Sequence, residues 1–589
     1  AQRRNSPSFP ITTTPVVCGN GALNGFNLDG TAYTCVGGAN PVPAHPNNPF
    51  GADALFVGRV QGSGGDSLIS YHDSRTTRLA AGLSGDSFNA FDEDWGWNVD
   101  LTRSRNEFIL TAEDTLAEEF QLALLGLGGE NCSGLAADAG DADAGCFYFN
   151  PFGTSLIPGS GGRANPAEVY DYITGTIRID TQAELRTLSA VATSNPFVME
   201  GGNSGLAVGV QLRNESLDYD YDENSNRENF IFFTGNPDFD GERDIKAAFT
   251  ELALPVKDNM DVQLSLRYED YEDSGNSTDP KIAVLYRPAD NLSLRSSFST
   301  SFRAPSLFQQ SGVQTTLVEI STDTLGNQFI PVRSEPNPDD PLKPEEANVI
   351  NLGASWISSS AAFKLNADYW SYDYENVIIQ QNPQGIVNQA QEDGNPCNDP
   401  QITCSAGTIS RVLVYYDNAS ELQTDGLDLS GGYSWAIDSG NYAVGLELTK
   451  ILSYDLKDPQ AGSIDGLGQR NFTNFANSVP ELRANLHLAW SLDRHAVNAF
   501  SRFIDSYNND QLYDGQPRNE TIDAQTTLDI QYSYRFQAFG WADDDMTISV
   551  GGINITDEDP PHVATNGGYD SKVHDPRGAL YYLKLNMPL

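Results

Sequence analysis

The chain lacks any run of about 18 to 20 apolar residues, so no segment is suited to crossing a bilayer as a helix. Positive charge is scarce. Lys and Arg total 35 against 80 Asp and Glu, which gives a formal charge of −45 and a pI near 4.2. A nucleic-acid partner needs clustered cations, and this balance argues against one. Methionine is limited to 4 residues and histidine to 6, and no histidine lies at zinc-binding spacing from a cysteine. The sequence has no Gly-x-Ser-x-Gly elbow, no phosphate loop between a strand and a helix, and no other catalytic constellation, so it reads as a non-enzyme. Ala1-Gln2-Arg3-Arg4 opens the chain without the apolar stretch of a signal peptide. What is abundant is aromatic surface, with 28 Phe, 25 Tyr and 7 Trp, which is too much for a disordered chain.

The six cysteines fall as Cys18 and Cys35, Cys132 and Cys146, and Cys397 and Cys404, each pair close in sequence among Gly, Asn, Pro and Asp. That spacing suits three local disulfides closing loops. About 15 connectivities exist for six cysteines, so pairing of neighbours is an inference. Disulfides imply an oxidising compartment. Carboxylates at Asp238, Asp240 and Asp244 in a loop, and at Asp138, Asp141 and Asp143 between two cysteines, are the candidate calcium ligands; a solvated acidic loop is the alternative.

The dominant pattern is alternation. Asn291 to Phe302 places Leu292, Leu294 and Phe298 on one face and Arg295 and Ser297 on the other. Period two over such lengths means strands with unlike faces, and these stretches exceed the usual globular strand. Spans are expected near 75–87, 95–111, 184–199, 204–220, 242–256, 260–273, 278–288, 291–303, 345–357, 361–377, 419–435, 441–455, 479–491, 495–508, 524–536, 546–556 and 579–589. That is about 17, against 22 in plugged outer-membrane transporters. Short connections such as 257–260 and 357–360 alternate with long ones such as 112–183, 304–344 and 378–418. The long side carries all six cysteines. Aromatic clusters at strand ends, including Tyr268 with Tyr271, Tyr369-Trp370 with Tyr372 and Tyr374, Tyr433 with Trp435, and Tyr532 with Tyr534, suit interfacial girdles. The fold class is therefore all-β: a large antiparallel transmembrane β-barrel with long outer loops. Residues 1–74 read as an extracellular loop region and 75–589 as the barrel.

Several stretches resemble the TonB-dependent receptors of the Gram-negative outer membrane. Leu294 to Leu307 contains Phe302-Arg303-Ala304-Pro305, similar to the family's strand ending in Phe-Arg-Ala-Pro. Leu342-Lys343-Pro344-Glu345 through Gly353 resembles its Leu-x-Pro-Glu…Leu-Gly strand start. Val479-Pro480, Gly552 to Pro561, Tyr569-Asp570 and His574 to Gly578 follow in the family's order. The resemblance implies active uptake of a scarce substrate (siderophore, cobalamin, sugar or peptide) in the outer membrane of a Gram-negative bacterium, with energy coupled through TonB. Implied partners are outer-membrane lipid and lipopolysaccharide, the TonB complex acting through a plug, and a small substrate. Phe302, Arg303, Ala304, Pro305, Pro344 and Glu345 are the family-motif residues; Arg303 and Pro305 are expected to shape the strand exit, with direct ligand contact the alternative. No cofactor is implied beyond calcium in the acidic loops. The family's TonB box and plug are not found, so a plug and about five first strands are expected to precede Ala1, which leaves the strand near 75–87 unpaired with 579–589. A passive plug-less channel and a surface adhesion barrel are the rival readings.

Overall fold

A computed structural model describes residues 2–6, 16–18, 24–25, 33–34, 43–52, 54–55, 68–91, 93–151, 165, 167–231, 235–322, 326–405, 408–458, 462–471, 474, 476–510, 512–513, 516–517, 520–537, 545–563 and 568–587. Seventeen long strands dominate it: β1 (Leu68–Ala90), β2 (Glu93–Thr115), β3 (Thr174–Ser194), β4 (Gly205–Tyr221), β5 (Phe239–Lys257), β6 (Met260–Tyr271), β7 (Gly275–Ala289), β8 (Leu292–Arg303), β9 (Glu345–Ile357), β10 (Phe363–Gln380), β11 (Thr408–Ile437), β12 (Gly440–Asp458), β13 (Leu482–Leu492), β14 (His495–Ile504), β15 (Gln525–Phe536), β16 (Met546–Ile553) and β17 (Leu580–Asn586). Each expected span falls on one of them. Each strand pairs antiparallel with the next, from β1 to β17.

The sheet has 22 members. Five of these lie outside the series: Gln2–Ser6, Gln314–Thr322, Gly326–Pro336, Ile402–Ser405 and Gly462–Asp465. Gln2–Ser6 pairs with Leu68–His72 at the outer end of β1, so the barrel begins at Leu68, earlier than the expected residue 75. No residue-by-residue register joins β17 to β1 among the described residues.

Antiparallel order puts successive connections at opposite ends of the barrel. Connections 116–173, 222–238, 304–344, 381–407, 459–481, 505–524 and 554–579 share one end; 258–259, 290–291, 438–439 and 493–494 share the other. The long end folds into small packed units. Phe120, Ala123, Leu124, Phe149, Val169, Ile173 and Ile231 form one apolar cluster with Val17. Ile320, Ile330, Val332, Ile386, Val387, Val412 and Val414 form another. Disulfides Cys132–Cys146 and Cys397–Cys404 staple these loops as the spacing predicted. Cys18 is also disulfide-bonded; its expected partner, Cys35, lies outside the described residues.

Between the ends, exposure alternates along the strands. Leu294 and Phe298 of β8 are exposed, while Arg295 and Ser297 between them are partly covered. Leu292 on the outward face is itself partly covered, opposite Trp356. The same outward stripe includes Val210, Leu264, Leu352, Leu429, Leu488 and Leu583. An exposed apolar exterior and a polar interior are what a strand needs when lipid lies on one side and a lumen on the other.

The aromatic girdle is real at the short-turn end. Tyr433 stacks on Trp435, Trp435 on Tyr442, and Trp356 meets Phe363. It is not the fate of every aromatic. Leu365 faces outward, so period two turns Trp370, Tyr372 and Tyr374 of β10 inward, where Trp370 lies over Gly426. Tyr271 also points inward, opposite in phase to exposed Tyr268. The clusters looked like girdles because adjacent positions on a strand belong to opposite faces.

We expect a spin label at Phe298 to be quenched by oxygen and shielded from a water-soluble nickel chelate, and one at Ser297 to show the reverse. Equal accessibility at both positions contradicts the two-faced strand.

Candidate functional site at the outer rim

Arg303 ends β8 and Glu345 begins β9, and the two residues stand opposite each other in the register. Arg303 Nε donates to Glu345 Oε2 at 2.5 Å. Glu345 Oε1 accepts the Ile378 N–H of β10 at 2.7 Å, so one carboxylate ties three strands. Two motifs far apart in sequence are thus halves of one device. After Pro305 a short helix, Leu307–Ser311, starts with a capping box: Ser306 accepts from the Gln309 N–H, and the Gln309 side chain accepts from the Ser306 N–H. Pro305 is buried, and its carbonyl accepts from Arg243 Nη1 at 2.7 Å. Phe302 meets the Tyr271 ring edge-on at 5.6 Å. Ala304 and Pro344 are partly covered and complete the turn. All six motif residues sit at the exit of β8 or the entry of β9.

Below this rim lies an inward-facing charged network that the motifs did not reveal. Arg243 is nearly buried, pairs with Glu215 at 2.8 Å and Asp273 at 3.4 Å, and lies 5.1 Å from the centre of the Tyr271 ring. Glu269 is 5% exposed and takes hydrogen bonds from Arg213 at 2.9 Å, from Arg267 Nε at 2.7 Å and from the Tyr271 hydroxyl at 2.9 Å. A carboxylate this covered is tolerated only because guanidinium donors surround it. The spacing was readable: Arg213 and Glu215, like Arg267 and Glu269, occupy alternate positions on the lumen face. Farther round, Arg295 reaches across β9 to Asp368 of β10 at 2.8 Å. Gly353 lies between them in register, and a Cβ there would overlap both partners. Any larger residue at 353 would have to displace one of these side chains and so disturb the pair.

The loops add two clasps. Glu228 of the 222–238 loop pairs with Arg333 of the 304–344 connection at 3.0 Å and with Arg411 at the start of β11. Asp570 accepts from Ser478 Oγ at 2.6 Å and from the Tyr507 hydroxyl at 2.9 Å, joining three loop segments. Burial alone would raise the Asp570 carboxyl, but these bonds, the Lys572 N–H and nearby Arg470 outweigh it and hold it below the ordinary aspartate value. His574 stacks on Tyr507, and its Nδ1 bonds Gln525 Oε1 at 2.9 Å. Burial holds its imidazole below the ordinary histidine value, against the pull of Asp570.

The candidate calcium carboxylates are placed differently from expectation. Asp240 and Asp244 lie within β5, not in a loop, and share its outward face with Glu242. Asp238 accepts from the Tyr221 N–H at 2.7 Å and Asn226 Nδ2 at 3.0 Å, and Asp244 from Asn214 Nδ2 at 2.8 Å. Asp141 accepts the Asp143 N–H at 3.0 Å, and Asp138 accepts from Ser133 Oγ at 2.5 Å. Among the described residues no group of three or more His, Cys, Asp or Glu converges as a metal site.

A lumen wall of polar side chains thus lies under a rim fixed by Arg303 and Glu345. The chain matches the family described as TonB dependent receptor-like, beta-barrel over residues 22–555, and it belongs to that family. It is similar to the Vitamin B12 transporter BtuB of Vibrio cholerae serotype O1, 27% identical over 170 residues. That likeness covers 27% of this chain and 24% of the transporter, so the match spans about a quarter of the relative's length. Among solved structures it is similar to a mutant of the ferric enterobactin receptor PfeA of Pseudomonas aeruginosa, with a TM-score of 0.50 and 12% identity over 88% of this chain and 69% of that one. This second likeness supports the fold alone. Family membership puts the barrel in the outer membrane of a Gram-negative bacterium, with the long loops outside.

Two expectations follow. In a double-mutant cycle, Glu345→Gln should destabilise the barrel by about 1–2 kcal/mol and couple to Arg303→Gln by about 0.5–1 kcal/mol, because Arg303 is half exposed. Additive losses in urea unfolding would separate the two motifs. The second concerns pH. The folded-state value of His574 lies below its unfolded value of about 6.5, so its contribution is complete above pH 6.5 and fades as pH falls through the folded value. Hydrogen exchange of amides 570–578, corrected for intrinsic rate, should quicken between pH 7.5 and pH 5, and His574→Gln should remove that difference. A pH-independent wild type contradicts the assignment.

Proposed function

We propose that this chain forms the barrel of an active transporter that takes up a scarce substrate across the outer membrane, with energy supplied through TonB by way of a plug in the lumen. The observation that carries this reading is the inward charged network below the rim, Arg213, Arg243, Arg267 and Glu269, inside a barrel of this family. It lines the route a substrate would take from the outer loops, and it holds guanidinium and aromatic groups at fixed positions rather than leaving an oily or water-only wall. The substrate class is a siderophore, cobalamin, sugar or peptide. The similarity to a vitamin B12 transporter makes cobalamin the first to test. The formal charge of −45 disfavours an anionic substrate unless divalent ions or salt screen it.

The test is uptake. The full-length protein, expressed in a Gram-negative host deleted for its own cobalamin and siderophore receptors, should accumulate labelled cobalamin or a ferric siderophore. Accumulation should fall to background in the same host without TonB. Equal uptake with and without TonB would favour the passive channel, and surface binding without uptake would favour the adhesion barrel.

A further inference from the structure

The inward face of β10 carries an aromatic stripe. Leu365 faces lipid, so period two turns Trp370, Tyr372 and Tyr374 to the lumen at successive steps toward the rim. Each ring centre lies 5.8 Å from the next, and the planes of Tyr372 and Tyr374 differ by only 11°. Several flanking positions in register are small: Ala347 and Val349 on β9, Thr424 and Gly426 on β11. A Cβ at Gly426 would strike the Trp370 indole, so the bare backbone there is what lets the ring lie against the wall. Tyr454 of β12 shares the register row of Tyr372 through Thr424 and lies within electrostatic reach of Tyr374, which widens the stripe.

Packing does not account for these rings. All three stay partly exposed, and among the described residues none joins the buried apolar clusters. Their polar ends are free. The Trp370 indole N–H and the Tyr372 and Tyr374 hydroxyls have no hydrogen-bond partner among the described residues, nor has the side-chain amide of Asn351 opposite Trp370. Covered aromatics with polar handles usually find one. The charges bounding the stripe are by contrast already paired: Arg303 with Glu345 at the rim, and Arg295 with Asp368 below. The stripe therefore offers ring surface with neutral donors and acceptors, and among the described residues no unpaired cation lies along it.

We propose that this stripe binds a neutral linear oligosaccharide; the proposal rests on the reading of the barrel as an uptake route and names its substrate class. A pyranose carries C–H groups on its faces and hydroxyls around its edge. The negative face of an aromatic ring attracts the C–H groups, and the free hydroxyls, indole N–H and amide take the sugar hydroxyls. Rings at alternate residues of one strand match a chain of repeating rings, whereas a single planar group would need one platform. An anionic chelate or phosphate ester would need an unpaired cation, and both flanking arginines are committed.

The probes are neutral linear oligosaccharides of one to about six units, built from glucose, xylose, mannose or N-acetylglucosamine, titrated calorimetrically into the full-length protein in detergent. At least one series should bind, with affinity climbing steeply up to about three units, the number of rings in the stripe, and little beyond. Trp370→Ala and Tyr372→Leu should each weaken the trisaccharide about three- to tenfold, while Tyr372→Phe, which keeps the ring, should cost at most about threefold. Tyr433→Leu, on the lipid face, should change nothing. An unchanged heat-dependent gel shift shows which variants are folded, and if Trp370→Ala does not fold, Tyr372→Leu against Tyr372→Phe still decides. Absence of binding by every series overturns the proposal, as do equal affinities for Tyr372→Leu and wild type, or cobalamin binding that depends on the same rings. Binding needs no TonB, so the two readings fail separately: oligosaccharide binding with TonB-independent uptake sinks the active transporter and leaves the stripe, and TonB-dependent cobalamin uptake without oligosaccharide binding does the reverse.

Discussion

Everything in this molecule depends on one requirement: inside a bilayer each backbone N–H and C=O must find a partner in the protein, since no water is there to take its place. The antiparallel series meets it at each strand pair between β1 and β17. The same requirement expels irregular chain from the hydrocarbon. Helices, 3₁₀ turns and most short loop strands collect at the end of the long connections, where water is available. There the chain behaves as ordinary globular protein, with small apolar cores around Phe120 and around Val412 and with local disulfides. A barrel wall one residue thick has no comparable core. Its apolar residues point to lipid, and its inner face is held by charge.

That inner face explains why so much of the pairing is ionic. A lumen is neither water nor hydrocarbon, and an exposed strand face there gains little from apolar burial. Arg213, Arg243 and Arg295 each reach a carboxylate on another strand. The bridges run across the hydrogen-bond ladder and stiffen the wall against shear. They also demand space, which is why Gly353 separates Arg295 from Asp368. The rim repeats the device at Arg303 and Glu345, where a strand exit, a helix cap and a third strand meet on two side chains. Fixed geometry at the mouth is what a selective route through the membrane requires, and the loop clasps at Glu228 and Asp570 extend it outward.

Sequence and structure part company over faces and heights. Alternation located every span, because a strand with lipid on one side and polar contacts on the other cannot hide its period of two. It did not decide which of two neighbouring aromatics faces lipid: Tyr268 and Tyr271, or Tyr369 and Trp370, differ by phase, and phase is fixed by pairing with neighbouring strands. The carboxylates at 238, 240 and 244 looked like a loop cluster because acidic, Gly-containing sequence resembles a turn. Pairing of β5 with β4 drew two of them into a ladder on the outer face.

The sequence by itself determined the class of protein. Span lengths, the segregation of short and long connections, the neighbouring cysteines and the ordered motifs all follow from local pattern, and local pattern survives in one dimension. The tertiary structure alone decided the partners: that Arg303 meets Glu345, that Glu269 is held by Arg213, that Asp570, Tyr507 and Ser478 close three loops, and that Arg103 stands opposite Arg186. Each of these joins residues from different strands or loops. Their meeting depends on strand register, which is set by the summed pairing of whole strands and is not written in either partner's own neighbourhood.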